Sequence, residues 1–186
     1  MISGKSTKRI RSHLAPMNAN QNSTLIFLVG FMGAGKTTVG RALATHLGYQ
    51  FFDLDELITE RTGKSVQQIF SELGETEFRR LEREAIQSCN KLVRSVVALG
   101  GGAYVQDENR ALLRAIGKTI WLDCPLEVCL ARIRGDKSRP LLGSEDEMRR
   151  LLAQRRESYA DADYIVTSGE LNPEELSLRI VGLLKQ

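Results

Sequence analysis

The chain has 186 residues, of which 42% are hydrophobic and 26% charged, a size and balance that suit one compact domain with its own core. It contains no run of 18 apolar residues and no charged start followed by an apolar segment, so neither a membrane-spanning helix nor secretion is expected. The formal net charge is +3, but four cations lie within residues 1–22, so the rest carries about −1 and nucleic-acid binding is not expected.

The N-terminal segment and the cysteines differ in character from the rest of the chain. Residues 1–22 are rich in Ser, Asn, Lys and Arg without periodicity, which predicts a disordered basic tail before one domain over residues 23–186. Cys89, Cys124 and Cys129 form no CxxC pair and no Cys/His cluster. We therefore expect reduced, partly buried thiols in a cytoplasmic protein, and we expect a monomer.

Short apolar runs alternate with amphipathic stretches from Thr24 onward. The predicted strands are residues 25–29, 51–54, 95–99, 119–123 and 164–167. The predicted helices are residues 36–47, 65–73, 75–90, 107–116, 126–134, 146–160 and 173–184. The apolar runs are nearly continuous, as in strands covered on both faces. This alternation predicts a three-layer α/β/α sandwich with a five-stranded parallel sheet and a ligand at the carboxyl ends of its strands.

A complete G-x-x-x-x-G-K-[ST] motif joins the first predicted strand to the first helix, as the phosphate-binding P-loop requires. Its glycines let successive backbone N–H groups converge on an anion at the positive end of the helix. The expected ATP contacts in this segment are Gly33, Ala34, Gly35, Lys36, Thr37 and Thr38. The Lys36 ammonium is expected at the β- and γ-phosphates, and the Thr37 hydroxyl at Mg²⁺. The alternative is an ordinary Gly-rich turn.

Two carboxylates follow the second predicted strand. Strand alternation sends Asp53 and Asp55 to the same side, at the end nearest the phosphates. There they suit a metal partner and a group that accepts the proton of an attacking hydroxyl. The alternative makes Asp55 only the N-cap of the helix that follows.

Other candidate residues follow the third predicted strand or lie on a predicted helix. Gly100, Gly101 and Gly102 follow the third strand, where glycines let a backbone approach a ligand closely. Arg79 and Glu82 are helical neighbours, and their spacing alone favours a solvated surface salt bridge.

Two further arginines are candidates for contacts with substrate. Arg139 lies in a polar stretch between helices that could close over a nucleotide as a lid. Arg155 lies on the next helix. A charged helical face is the default explanation for each.

These motifs together resemble the shikimate kinase family, from about Leu25 to the C-terminus. The resemblance rests on G-F-M-G-A-G-K-T, F-D-L-D, E-F-R-R-L-E, L-G-G-G-A, S-R-P-L-L and R-x-x-x-Y, in that order. It implies a nucleoside monophosphate kinase-like fold with sheet order 2-3-1-4-5, a lid and a mobile acceptor-binding region. The implied reaction transfers a phosphoryl group from ATP to the 3-hydroxyl of shikimate.

The resemblance also implies roles for individual residues on the acceptor side of the site. Asp55 would hold shikimate hydroxyls and serve as the base, whereas Asp53 would serve the Mg²⁺ site through water. Arg79 and Arg155, with the loop at 100–102, would hold the substrate carboxylate. This implication replaces the surface-pair interpretation of Arg79.

On the nucleotide side, the resemblance implies that the lid residue Arg139 contacts the phosphates. Arg132 and Pro173 would flank the adenine.

Three alternatives remain open on the sequence. A gluconate or nucleoside monophosphate kinase would share the fold, although two carboxylate-directed arginines favour an anionic polyol acid. A catalytically silent binding module is disfavoured because Lys36, Asp55, Arg79, Arg139 and Arg155 are all present. A GTPase would need an N-K-x-D motif, which the sequence lacks.

Overall fold

The fold is built on one five-stranded sheet. The structure, a computed structural model, describes residues 25–135 and 143–185. The strands are β1 Leu25–Val29, β2 Gln50–Asp53, β3 Ser95–Ala98, β4 Lys118–Asp123 and β5 Tyr164–Thr167. All neighbouring strands are parallel, in the order β2-β3-β1-β4-β5. The predicted α/β sandwich and its strand order are therefore confirmed.

Helices cover both faces of this sheet. They are α1 Lys36–Leu47, α2 Leu54–Thr62, α3 Val66–Ser88, α4 Asp107–Ile116, α5 Leu126–Gly135, α6 Glu145–Ala160 and α7 Pro173–Leu184, with 3-10 turns at Cys89–Lys91 and Ala103–Val105. Helix α1 packs against α7 and against β1, β2 and β3, whereas α3 packs against α4, which contacts β4. Within the described ranges, no helix is long and apolar enough to cross a membrane.

The core explains why the strand sequences do not alternate. Every residue of β1 is buried, and Phe27 and Leu28 are 0% exposed. Residues on both faces of this central strand are therefore withdrawn from water, each large apolar side chain contributing about 1.5–3 kcal/mol. Cys89, Cys124 and Cys129 join this core as buried free thiols.

Helix α3 is interrupted at Gly74, the boundary between the two helices that we predicted over residues 65–73 and 75–90. Its Ser65–Gln68 capping box is present, with the Gln68 amide 3.2 Å from the Ser65 hydroxyl. The chain then continues through Gly74, whose φ of 81° and ψ of 171° are not helical. A residue with a side chain is strained at this φ. Gly74 therefore separates two helical stretches within α3, as the sequence predicted.

Helix α2 was not among the predicted helices. Strand β2 ends at Asp53, and Asp55 lies in the first turn of α2. The capping side chain is that of Asp53, which accepts a hydrogen bond from the Asp55 amide at 3.1 Å. The prediction that strand alternation aligns the two carboxylates is thus wrong, and so is the alternative that Asp55 is the N-cap. A helix begins between them because Asp is a favoured N-cap residue.

Candidate active site

The P-loop adopts a backbone that only glycine tolerates easily. Gly30, Gly33 and Gly35 have φ values of 141°, 75° and 93°. At Gly33 an added Cβ would lie 2.6 Å from the backbone oxygen of Cys129 on α5. The loop is therefore pressed against α5, and its N–H groups are presented at the start of α1.

Lys36, the first residue of α1, folds back over this loop. Its Nζ donates hydrogen bonds to the backbone oxygens of Gly30 and Phe31, both at 2.9 Å. These bonds hold the ammonium at the mouth of the loop, where the positive end of α1 adds to its charge. The arrangement suits the binding of phosphate groups.

A cavity of about 490 Å³ opens between this loop and the carboxyl ends of the strands. It brings together residues predicted for the nucleotide and the acceptor sides. Its lining includes Met32, Gly33, Gly35, Lys36, Thr37, Thr38, Asp53, Asp55, Leu99, Gly100, Gly101 and Arg132. The position agrees with the general rule for ligands of open α/β sheets.

Thr37 and Asp53 form the oxygen-rich corner of this cavity. The Thr37 hydroxyl donates to one carboxylate oxygen of Asp53 at 2.9 Å, while the other oxygen accepts the Asp55 amide. Hydroxyl and carboxylate oxygens are ligands that Mg²⁺ accepts. The corner thus fits the predicted metal pair, Thr37 and Asp53.

The Arg79–Glu82 pair on α3 is not a solvated surface salt bridge. The Arg79 Nη1 lies 3.0 Å from a carboxylate oxygen of Glu82, a side chain that is 1% exposed. Glu75 contacts Nη2 from the other side at 3.1 Å. Burial disfavours the cation, but the two carboxylates outweigh it and raise the pKa of Arg79 above its ordinary value. The surface-pair interpretation drawn from spacing alone is wrong.

The triple-glycine loop lies against three of the predicted acceptor-site side chains. An added Cβ would lie 3.0 Å from Asp55 Oδ1 at Gly100, 3.3 Å from Arg155 Nη1 at Gly101, and 2.7 Å from Arg79 Nη1 at Gly102. Each glycine therefore leaves room for a different charged group. The neighbours that the structure shows are protein side chains, and the close approach to a ligand stays a prediction.

Arg155 comes from α6, a helix distant in sequence. One turn later Tyr159, which is 0% exposed, donates its hydroxyl to the Gly101 backbone oxygen at 2.5 Å. Sequence reasoning used this tyrosine only as part of the R-x-x-x-Y pattern. The i, i+4 spacing was the available signal, because it puts both side chains on one helical face.

Glu82 is a second residue to which sequence reasoning assigned no functional role. Its Oε1 lies 3.5 Å from the position of a Gly100 Cβ, so it reaches the glycine loop from beneath Arg79. Burial raises its pKa, the charge of Asp55 adds to this shift, and Arg79 and Arg155 oppose it. Glu82 is therefore within electrostatic reach of the three charged acceptor-site residues.

A smaller cavity of about 290 Å³ continues the first beyond Gly35 and Thr38. Arg132 and Pro173 both line it, and their place beside the adenine stays a prediction. The Arg132 Nη1 also donates to the Gly33 backbone oxygen at 3.3 Å. Arg139, the predicted lid residue, lies outside the described residues.

Several known proteins similar to this chain share one family description. A family model described as "Shikimate kinase" matches residues 32–185. A shikimate kinase from Geobacter sulfurreducens is 42% identical over 173 residues, which are 91% of this chain and 96% of that protein.

Solved structures give the same result. Shikimate kinase from Acinetobacter baumannii in complex with shikimate has a TM-score of 0.82 and 39% identity, over 87% of this chain and 92% of that one. Shikimate kinase from Aquifex aeolicus has a TM-score of 0.75 and 38% identity, over 87% and 96%. With this sequence identity, coverage and agreement in fold, the chain belongs to the shikimate kinase family.

Proposed function

We propose that this chain transfers the γ-phosphoryl group of ATP to the 3-hydroxyl of shikimate, releasing ADP and shikimate 3-phosphate. One observation carries the proposal: a single cavity joins Lys36 of the phosphate loop to Asp55 and to the glycine loop that Arg79 and Arg155 contact. A phosphoryl donor and an anionic acceptor can therefore lie side by side. Reactions of this kind depend mainly on positioning and on neutralising charge.

Asp55 is proposed to orient the acceptor and to receive its proton. The carboxylate lines the cavity from the first turn of α2 and lies beside Gly100. As the hydroxyl oxygen bonds to the γ-phosphorus, its proton passes to the Asp55 carboxylate, and the bond from phosphorus to the ADP oxygen breaks. Lys36 and the loop N–H groups stabilise the charge on the phosphoryl oxygens.

Mg²⁺ is proposed at the oxygen-rich corner formed by Thr37 and Asp53. The described residues contain no cluster of three or more His, Cys, Asp or Glu side chains that could hold a metal. This suits Mg²⁺, which usually keeps several waters and takes other ligands from substrate phosphates. When bound, the ion supplies positive charge beside the β- and γ-phosphates.

Arg79 and Arg155 are proposed to hold the shikimate carboxylate. Both guanidinium groups lie against adjacent glycines of one loop, although they come from different helices. A planar guanidinium can bind a carboxylate through two parallel hydrogen bonds, which the ammonium of lysine cannot do. This pair favours an anionic polyol acid over a nucleotide acceptor. Arg132 and Pro173 remain proposed for the adenine, and Arg139 for the phosphates.

An ADP-release assay tests the central proposal. With Mg-ATP, ADP should appear on addition of shikimate and not with gluconate, a nucleoside monophosphate or no acceptor. Turnover on one of the other acceptors, with none on shikimate, would assign a different kinase. No turnover on any acceptor would favour a silent binding module.

The carboxylate pair is tested with the amide analogue of shikimate. Arg79→Ala and Arg155→Ala should each lower kcat/KM for shikimate by roughly 30-fold to several thousandfold, since unpairing a desolvated charge costs about 2–5 kcal/mol. Both variants should distinguish acid from amide far less than the wild type does. If the variants keep the wild-type ratio of activity on the acid to activity on the amide, Arg79 and Arg155 do not bind the carboxylate.

We also propose that the protein acts as a cytoplasmic monomer and binds neither nucleic acid nor membrane. The charge outside residues 1–22 is about −1, and all three cysteines are free and buried. Sedimentation at assay concentration tests the oligomeric state.

A further inference from the structure

We infer that Tyr159 is a positioning residue for acceptor binding, because its hydroxyl fixes the Gly101 backbone beside Arg155. The inference rests on the proposed function, in which Arg155 and the glycine loop hold the acceptor carboxylate. Tyr159 itself is not proposed to touch the substrate.

The contact that carries this inference joins two distant parts of the chain. The Tyr159 hydroxyl donates to the Gly101 oxygen at 2.5 Å, across 58 residues. The tyrosine is 0% exposed, and its ring lies 5.8 Å from the ring of Trp121 on β4. Water therefore cannot replace the phenol as the donor to this carbonyl without repacking of the core.

Arg155 approaches the same glycine from the same helix. It precedes Tyr159 by one turn, and its Nη1 lies 3.3 Å from the position of a Gly101 Cβ. A phenol has one proton to donate and lone pairs that can accept. Because the Tyr159 hydroxyl donates its one proton to the Gly101 carbonyl, the phenol oxygen can interact with the Arg155 guanidinium only as an acceptor.

The protonation state of the phenol supports this arrangement. Burial raises the pKa of Tyr159 to about 12, although the charge and hydrogen bonding of Arg155 oppose the shift. The phenol therefore remains a donor throughout the neutral range.

Helix α6, which carries Arg155 and Tyr159, is also anchored to β4. Arg156 Nη2 donates to a carboxylate oxygen of Asp123 at 2.8 Å, and its guanidinium lies 5.2 Å from the centre of the Trp121 ring. Helix α6 is thus attached to the end of β4 next to the residue that contacts the loop. Arg155 and Gly101 are set at a fixed separation before the acceptor arrives, which lowers the entropy lost on binding.

Tyr159→Phe removes the hydroxyl and keeps the ring. We expect it to raise KM for shikimate about fivefold to thirtyfold, the range for one lost buried hydrogen bond, with kcat within about threefold and KM for ATP unchanged. The acid-to-amide preference should fall by a similar factor. Tyr104→Phe is the matched control, because Tyr104 is also 0% exposed and donates to a backbone oxygen, that of Asp161 at 3.2 Å.

Both tyrosine variants should lose thermal stability, but Tyr104→Phe should keep the wild-type KM and acid-to-amide preference. Gly101→Ala offers a second route if Tyr159→Phe folds poorly, because its methyl group would lie 3.3 Å from Arg155 Nη1, shift that group by a few tenths of an ångström and lower the same preference. If Tyr159→Phe keeps the wild-type preference while Arg155→Ala loses it, the Tyr159 inference is wrong and the proposed function stands. If Arg155→Ala also keeps the preference, the proposed carboxylate site and this inference both fail.

Discussion

The Arg79 guanidinium lies 3.0 Å from the carboxylate of Glu82, a residue that is 1% exposed. A buried pair of this kind is a poor source of stability, because removing two charges from water costs about as much as their attraction returns. Here the pair directs the guanidinium towards Gly102 of the triple-glycine loop. Gly102 follows Gly100 and Gly101, which line the cavity, so the pair lies beside the place where the proposed function puts the acceptor.

The first prediction concerns Glu82→Gln, which keeps the side-chain shape and removes the charge. Arg79 would lose its buried anionic partner, so kcat/KM for shikimate should fall about 10- to 100-fold while KM for ATP stays constant. Glu77→Gln is the matched control on the same helix, because Glu77 contacts Arg80 at the same i, i+3 spacing and is 34% exposed. Equal losses in both variants would show that α3 charge in general, not the buried pair, determines the activity.

The second prediction concerns pH and stability. Burial raises the pKa of Glu82, so between the ordinary glutamate pKa and the raised one the folded state binds this proton more tightly than the unfolded state does. The contribution of Glu82 to stability is therefore fully present below the ordinary pKa and is lost as pH rises through the raised pKa. Denaturant unfolding at a series of pH values should show Glu82→Gln gaining stability relative to wild type as pH increases across that window. A constant difference would mean that the Glu82 pKa is not raised.

The third prediction separates two neighbouring carboxylates. Asp55→Asn should fold normally, because Asp53 provides the helix cap, and should lose about 10²- to 10⁴-fold in kcat, the range for a positioned acid or base. Asp53→Asn keeps a residue that can cap α2 but weakens the corner with Thr37, so it should mainly raise the Mg²⁺ concentration needed for half-maximal rate. Steady-state kinetics at several Mg²⁺ concentrations distinguish the two. Near-normal turnover of Asp55→Asn would show that Asp55 has no catalytic role.

The sequence was sufficient for the parts of the fold that depend on local pattern. The continuous burial of β1 and the glycines of the phosphate loop follow directly from apolar runs and backbone freedom. It was not sufficient where the local pattern is ambiguous. Residues 51–54 read as strand, yet the change to helix occurs at Asp53, since an aspartate can cap a helix as well as end a strand.

For the site residues, too, local sequence pattern predicts some features and leaves others undetermined. Arg79 and Glu82 have the spacing of any exposed helical ion pair, and spacing contains no information about burial. Only the packing of α3 against the glycine loop distinguishes this pair from Arg80 and Glu77 on the same helix. The role inferred for Tyr159 depends on a contact across 58 residues, which no local pattern indicates.

The last prediction uses Gly102 to move Arg79 without changing its charge. Gly102 has φ −94° and ψ −16°, values that alanine adopts without strain. The three atoms nearest to an added Cβ all belong to the Arg79 guanidinium, at 2.7, 2.8 and 3.1 Å. Gly102→Ala should therefore fold normally but displace this side chain, lowering kcat/KM for shikimate about 10- to 100-fold.

The double variant makes this test specific. With Arg79→Ala the obstructed group is gone, so adding Gly102→Ala should cost less than about threefold more, as expected when two changes act on one contact. Gly182→Ala is the control, because no described atom beyond its chain neighbours and the backbone of α7 lies within 4 Å of its Cβ position. It should leave the kinetics unchanged and stabilise the helix by up to about 1 kcal/mol. If the Gly102 and Arg79 effects multiply instead, the methyl group must disturb the acceptor site by contacting something other than Arg79.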